Sequence, residues 1–193
     1  MDGIRKLKPM NNQYKTVEDS RVEIKQLMLP SNANFSGKIH GGHILALMDQ
    51  VAFTVASKHS ACYCVTAAVE RVEFLNPIEV GELVSMKAQV NYVGNTSMIV
   101  GIRVEAEDIK TGKTKHCNSS YFTMVAKEEG GQSHKVPGLV IKDRDGIRRF
   151  LRAAKQVEFT TNKRHEFHEH QDEDFQSEEY LEALKQYNIK MEL

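Results

Sequence analysis

Residues 32–50 read NANFSGKIHGGHILALMDQ. Turn-forming residues run to Gly37, a Gly41-Gly42 pair follows, and then apolar side chains recur with one carboxylate, Asp49, among them. From Gly41 to about Ser60 the apolar positions Leu45, Met48, Ala52, Val55 and Ala56 fall three and four residues apart. That period predicts a helix of about five turns. No other long helix is expected before residue 140, so the reading of this stretch fixes what its surroundings must do.

The surroundings read as strand. Residues 16–30 alternate around Val22, Ile24 and the Leu27 to Leu29 run, a first strand that stops at Pro30. Four later segments, 63–74, Leu83–Val93, 98–108 and 115–126, carry period-2 patterns. Their inward sets include Met86, Ala88, Val90, Tyr92 and Val100, Ile102, Val104, Ala106. Gly94-Asn95, Lys110-Thr111-Gly112-Lys113, and Asn76-Pro77-Ile78 with Val80-Gly81-Glu82 supply short connections, which predict antiparallel hairpins in a meander. The apolar register of the first segment jumps from Val65, Ala67, Val69 to Val72 and Phe74, predicting a β-bulge near Glu70 and Arg71. One long helix wrapped by a curved antiparallel five-stranded sheet is an α+β architecture, the hot-dog arrangement.

The expected organisation is an N-terminal arm over 1–15, a hot-dog domain over 16–130, and a C-terminal helical, partly disordered extension over 131–193. Within the extension, 147–157 reads as an amphipathic helix, TTNKRHEFHEHQDEDFQ (160–176) as loose, and 178–186 as a short helix. HEFHEH (165–170) lacks the H-E-x-x-H spacing, so a solvated segment is expected there and no metal. No internal repeat is present. A site that needs two such units must take the second from another chain.

Lysine plus arginine equals aspartate plus glutamate, 26 each, which leaves no global attraction to nucleic acid or an anionic membrane. With 193 residues and 40% hydrophobic content the chain can bury one good core. No apolar h-region follows the basic N-terminus and no apolar run is long enough to span a bilayer, so a cytoplasmic location is expected. Cys62, Cys64 and Cys117 form neither a disulfide framework nor a zinc pattern and read as small strand or core thiols.

On a helical projection Asp49 falls inside the apolar arc, with His43, Gln50, Thr54, Ser57 and Lys58 opposite. A carboxylate there must be paired, hydrogen-bonded or put to use. It either caps or pairs with a neighbour to organise the core, or it does chemistry. Gly41 and Gly42 at the helix start leave backbone N–H groups open at the positive end of the dipole, able to hold an anion or a developing oxyanion. The glycines serve equally well for a sharp turn into a tightly packed helix.

Together, Asn34-x-x-Gly37-x-x-x-Gly41-Gly42, with Asp49 seven residues past the second glycine, resembles the acyl-CoA thioesterase (acyl-CoA hydrolase) family of hot-dog proteins. The resemblance continues through VTAAVERVEFLNPIEVGELV (65–84), Val93-Gly94-Asn95-Thr96-Ser97-Met98 and Val104-Glu105-Ala106-Glu107-Asp108. It implies hydrolysis of fatty acyl-CoA thioesters, with coenzyme A as the substrate moiety and product, and neither cofactor nor metal. It also implies active sites between paired subunits, at least a dimer, with a trimer of dimers as the leading assembly.

By the same resemblance Asp49 and Asn34 match the catalytic acid and asparagine, contributed by different subunits. Asp49 would activate water as general base, or attack the thioester itself. Asn34 would orient the water or bind the carbonyl oxygen, although a turn contact accounts for it equally. Gly41 and Gly42 would polarise the carbonyl, Phe53 and Phe74 would line an acyl channel, and Asn95, Thr96, Ser97 and Arg71 would meet CoA. Ser120 stands where the family often shows alanine, a departure expected to bear on chain-length preference. Two rivals stand beside this reading: a non-catalytic acyl-CoA sensor, and a hot-dog enoyl-thioester dehydratase using His40.

Overall fold

Thr16 and Asp19 cap each other: the Thr16 hydroxyl accepts the Asp19 N–H (3.3 Å) and the Asp19 carboxylate accepts the Thr16 N–H (2.8 Å). The computed structural model, which describes residues 14–169, therefore opens with a short strand β1 (Tyr14–Thr16) and a one-turn helix α1 (Val17–Ser20). The first long strand, β2 (Val22–Leu27), starts only after this turn, a correction to the strand expected from residue 16. A 3₁₀ turn, Pro30–Asn32, then leads toward the central helix α2 (Gly41–Ser60).

Strands β3 (Tyr63–Val69), β4 (Leu83–Val93), β5 (Ser97–Asp108) and β6 (Lys113–Lys127) complete, with β2, one antiparallel sheet in the order β2-β4-β5-β6-β3. Only β4, β5 and β6 form a meander. β3 lies at the far edge against β6, so residues 70–82 cross two intervening strands instead of closing a hairpin. That crossing spans about 15 Å, well within reach of the link.

The face of α2 that carries Ile44, Met48, Val51, Ala52, Val55 and Ala56 lies buried on the sheet. There it meets Val84, Met86 and Val90 of β4, Met98, Val100 and Val104 of β5, and Phe122 and Met124 of β6. Each large side chain among them contributes roughly 1.5–3 kcal/mol by burial. Cys62, Cys64 and Cys117 are free thiols, and burial pushes the Cys117 thiol up from its ordinary value.

Bulges retune the alternation. The expected break near Glu70 and Arg71 lies earlier, between Thr66 and Ala68, leaving Ala67 unpaired, and β3 already ends at Val69. A second shift, between Val90 and Tyr92, takes Tyr92 out of the inward set. Val93, opposite Met98, faces the core in its place. Tyr92 packs instead against Phe150 of α3 (Arg144–Glu169), their ring centroids 5.2 Å apart.

A two-stranded parallel sheet joins β1 to β7 (Gly138–Val140), pairing Tyr14 with Gly138 and Thr16 with Val140. Three-residue strands are too short to carry a period, and neither was read from the sequence. α3 continues to Glu169, through residues expected to be loose. No glycine or proline follows Gly146 to stop it. Among the described residues, those up to Ala154 fall in one unit and those from Lys155 in a second. The helix expected at 178–186 lies outside the described residues.

Asn118 is wholly buried opposite Val104, and neither atom of its side-chain amide has a hydrogen-bond partner. A buried amide left unpaired costs about 1–3 kcal/mol. Asn118→Leu is therefore expected to raise the Tm by several degrees. A lower Tm would mean that a water or ligand satisfies the amide.

α2 ends on a buried His59, whose Nε2 lies 3.0 Å from the Pro137 carbonyl just before β7. Its Nδ1 has no partner. Burial is the main cause that lowers the His59 pKa from 6.5, helped by Lys15 and opposed by the Pro137 carbonyl and Asp19. The unfolded chain thus takes up a proton at a pH where the folded one does not, so His59 makes stability fall as pH drops through about 6.5. His59→Leu is expected to flatten the Tm profile between about pH 7 and 5 relative to wild type.

Candidate active site at the helix flank

Asp49 does not face the core. It is exposed, just outside the buried stripe marked by Ile44, Met48, Val51 and Val55, a correction to its expected place in the apolar arc. Leu45, one of the periodic apolar positions, is itself only half-buried. What Asp49 faces is the edge strand β3: the Thr66 hydroxyl donates to Asp49 Oδ1 at 2.5 Å and lies 3.5 Å from Met124 Sδ. Thr66 was not among the expected site residues. A threonine in a strand is ordinary, and only its place beside the bulge distinguishes it.

The helix start departs from expectation in one respect. The Gly42 N–H donates to His40 Nδ1 at 2.9 Å, so this donor is occupied by a side-chain cap and is not open. A Cβ at Gly42 would lie 3.0 Å from the His40 ring, a tight approach to the capping side chain. His43 and Ile44 send their N–H groups to the His40 carbonyl. Gly41 keeps its N–H without a partner among the described residues, and the Phe74 ring sits over it, 3.2 Å from where a Cβ would be.

Asn34 organises its own turn. Its Oδ1 accepts from the Ser36 N–H (2.9 Å), the Ser36 hydroxyl (2.7 Å) and the Lys38 N–H (3.2 Å). None of these bonds uses its Nδ2, and none joins it to Asp49. Beside it Phe35 projects fully into solvent. Phe53 is 39% exposed and stacks edge-on against Tyr63 at 5.7 Å, while Phe74 is 50% exposed. Together with Val69 they leave an apolar fringe around the unpaired edge of β3.

The residues expected to meet CoA are not gathered at Asp49. Asn95, Thr96 and Ser97 form the β4–β5 hairpin, where the Asn95 and Thr96 carbonyls accept from Val136 and Ala126 (3.0 Å each). Ser97 opposes Val125, which opposes Val65, so the hairpin lies two strands from β3, about 10 Å away. Arg71 is exposed and pairs with Glu73. A cleft of about 970 Å³ lies beside Cys62, Tyr63, Val65, Lys127 and His134, and a 60 Å³ cavity lies between α2 and β2. Asp49 lines neither. Among the described residues no cluster of His, Cys, Asp and Glu could hold a metal, and no helix is long and apolar enough to cross a membrane.

One helix laid on a five-stranded antiparallel sheet is a hot-dog fold. The Thioesterase superfamily model matches residues 36–113. Protein VdlD of Helicobacter pylori is 42% identical over 76% of this chain and 83% of its own length. A hexameric acyl-CoA thioesterase, solved in its apo form, superposes with a TM-score of 0.76 at 32% identity, over 78% of this chain and 97% of that one. An acyl-CoA hydrolase of Staphylococcus aureus, solved with butyryl-CoA and CoA, gives 0.75 at 29% identity, over 81% and 95%. The chain belongs to the thioesterase superfamily, among the hot-dog acyl-CoA thioesterases, a family of thioester hydrolases. Structures of the S. aureus hydrolase include alanine variants of an asparagine, an aspartate and a threonine, set along its chain at the separations that divide Asn34, Asp49 and Thr66 here.

Proposed function

We propose that this chain hydrolyses acyl-CoA thioesters to free fatty acid and CoA, with a water activated by Asp49 and a site completed by a second copy. The observation that carries this is the exposed Asp49–Thr66 pair beside an unpaired edge strand and an apolar fringe, enclosed by neither cavity. A partner laid along β3 would cover the fringe, satisfy the edge and close the site. The hexamer formed by the structural relative supports a trimer of dimers as the assembly.

Thr66 fixes Asp49 Oδ1 and leaves Oδ2 for a water. Asp49 takes one proton as the water oxygen bonds to the thioester carbon. The Gly41 N–H, at the positive end of α2, meets the oxyanion that forms. Collapse breaks the carbon–sulfur bond, and the proton held by Asp49 goes to the departing CoA sulfur. Asn34 Nδ2, unused in its own turn, would reach the water or carbonyl from the partner chain. Arg71 and the hairpin of Asn95, Thr96 and Ser97 remain the proposed contacts for CoA.

The test is release of free thiol from butyryl- and palmitoyl-CoA by the purified full chain. Binding of acyl-CoA without turnover would favour a sensor. Hydration of an enoyl-CoA would favour a dehydratase, a reading weakened by the engagement of His40 Nδ1 as the cap of α2.

A further inference from the structure

We propose that Ser120 is a positioning residue: it anchors an arch over residues 70–75 and, through Phe74, sets how much bulk next to the thioester carbonyl the site accepts. The inference rests on the hydrolase reading above for its substrate, but not for the arch itself.

The pairing of β3 with β6 ends at Val69 opposite Phe122. At the next position the ladder is half-kept. The Glu70 N–H still donates to the Tyr121 carbonyl (2.9 Å), but the Glu70 carbonyl accepts from the Ser120 hydroxyl at 3.1 Å. A side chain has taken over a bond that a continuing strand would make with its backbone. The same hydroxyl lies 3.5 Å from the Tyr121 carbonyl, a poorer acceptor by distance.

Residues 71–74 then leave the sheet. The chain returns at Leu75, whose N–H donates to the Cys117 carbonyl (2.9 Å), and Asn76 Nδ2 donates to the His116 carbonyl (2.8 Å). The arch is thus pinned at both ends to β6, and Ser120 is the side chain that closes the first pin. Ser120 is 5% exposed, so water cannot readily replace its bond. Just before the second pin, Phe74 turns back onto Gly41. Gly41 is the residue whose N–H would receive the carbonyl oxygen, so the ring's position sets the clearance beside the acyl α-carbon.

Ser120→Ala removes the side-chain bond of the first pin and leaves the bond from the Glu70 N–H to the Tyr121 carbonyl to hold that end. The measurement is the ratio of kcat/KM for isobutyryl-CoA to that for butyryl-CoA, which differ in branching at the α-carbon. The ratio is expected to rise about fivefold, the effect of one hydrogen bond. Ser120→Thr keeps the hydroxyl and should hold the ratio within about twofold of wild type.

The chain has no tryptophan, so Phe74→Trp places a single fluorophore on the arch. Acrylamide quenching of that indole should increase when Ser120→Ala is added and stay unchanged when Ser120→Thr is added. An unchanged ratio in Ser120→Ala overturns the specificity role, and unchanged quenching overturns the anchoring role. If the wild type releases no thiol from either substrate, the hydrolase reading fails by itself, and quenching still decides whether Ser120 holds the arch.

Discussion

Asp49→Asn is expected to lower thioester turnover by about 10³-fold, within the usual range for removing a general base. The substitution is nearly isosteric. Its amide oxygen can still accept the Thr66 hydroxyl, so the side chain keeps its place and loses only its ability to take a proton. Because Asp49 is exposed and lies off the buried stripe of α2, the Tm should hold, a surface exchange being worth within about 0.5 kcal/mol. The loss should appear in kcat more than in KM, because the base acts in the transition state. Turnover within tenfold of wild type would remove Asp49 from the mechanism. A single turnover in ¹⁸O-water then tests for direct attack: label in the Asp49 carboxylate reveals a transient anhydride opened at the aspartyl carbon.

Mixing two inactive chains is expected to restore activity. Asn34→Ala and Asp49→Ala homodimers each lack one group in both sites. In a mixed dimer, one site combines the intact Asp49 of one chain with the intact Asn34 of the other, and the second site lacks both. Equal mixing with full exchange of subunits should therefore recover about a quarter of wild-type turnover. The starting point is the isolated chain, where Asn34 Oδ1 serves its own turn and nothing bonds Asn34 to Asp49. Mixed dimers that demonstrably form, yet stay inactive, would place both groups in one subunit or remove Asn34 from the site.

The fold class was legible because its decisive parts are long. Twenty residues of α2 and the eleven or twelve of β4 and β5 repeat their periods often enough to be read from one sequence. What failed were the features that depend on a single residue or on pairing across the sheet. An unpaired Ala67 or Asn91 leaves no mark in composition, yet each shifts the face of every side chain beyond it, as Tyr92 and Val93 show. The order of β3 and β6 is invisible along the chain, because residues 70–82 suit a corner and a crossing equally.

At the site, the resemblance picked out Asp49 by its distance from the glycine pair, while the projection put it on the wrong side of the stripe boundary. Thr66, which holds it, could not be singled out because nothing local distinguishes it from any other strand threonine. His40 drew notice as a possible catalyst and turned out to be the cap of α2, bonding two residues ahead to Gly42.

The pairing of β1 with β7 bears on how the protein comes to be made. Tyr14 leaves the ribosome before the main sheet, whereas Gly138, its partner, is synthesised only after all five strands of that sheet. β1 must therefore wait, its edge unsatisfied, while α2 and the sheet assemble. Closure of this clasp is a late, long-range event whose loop entropy is met last. A stalled or truncated product ending before residue 138 could carry the whole sheet and still present an open edge at its beginning, a state suited to chaperone capture or to pairing between nascent chains.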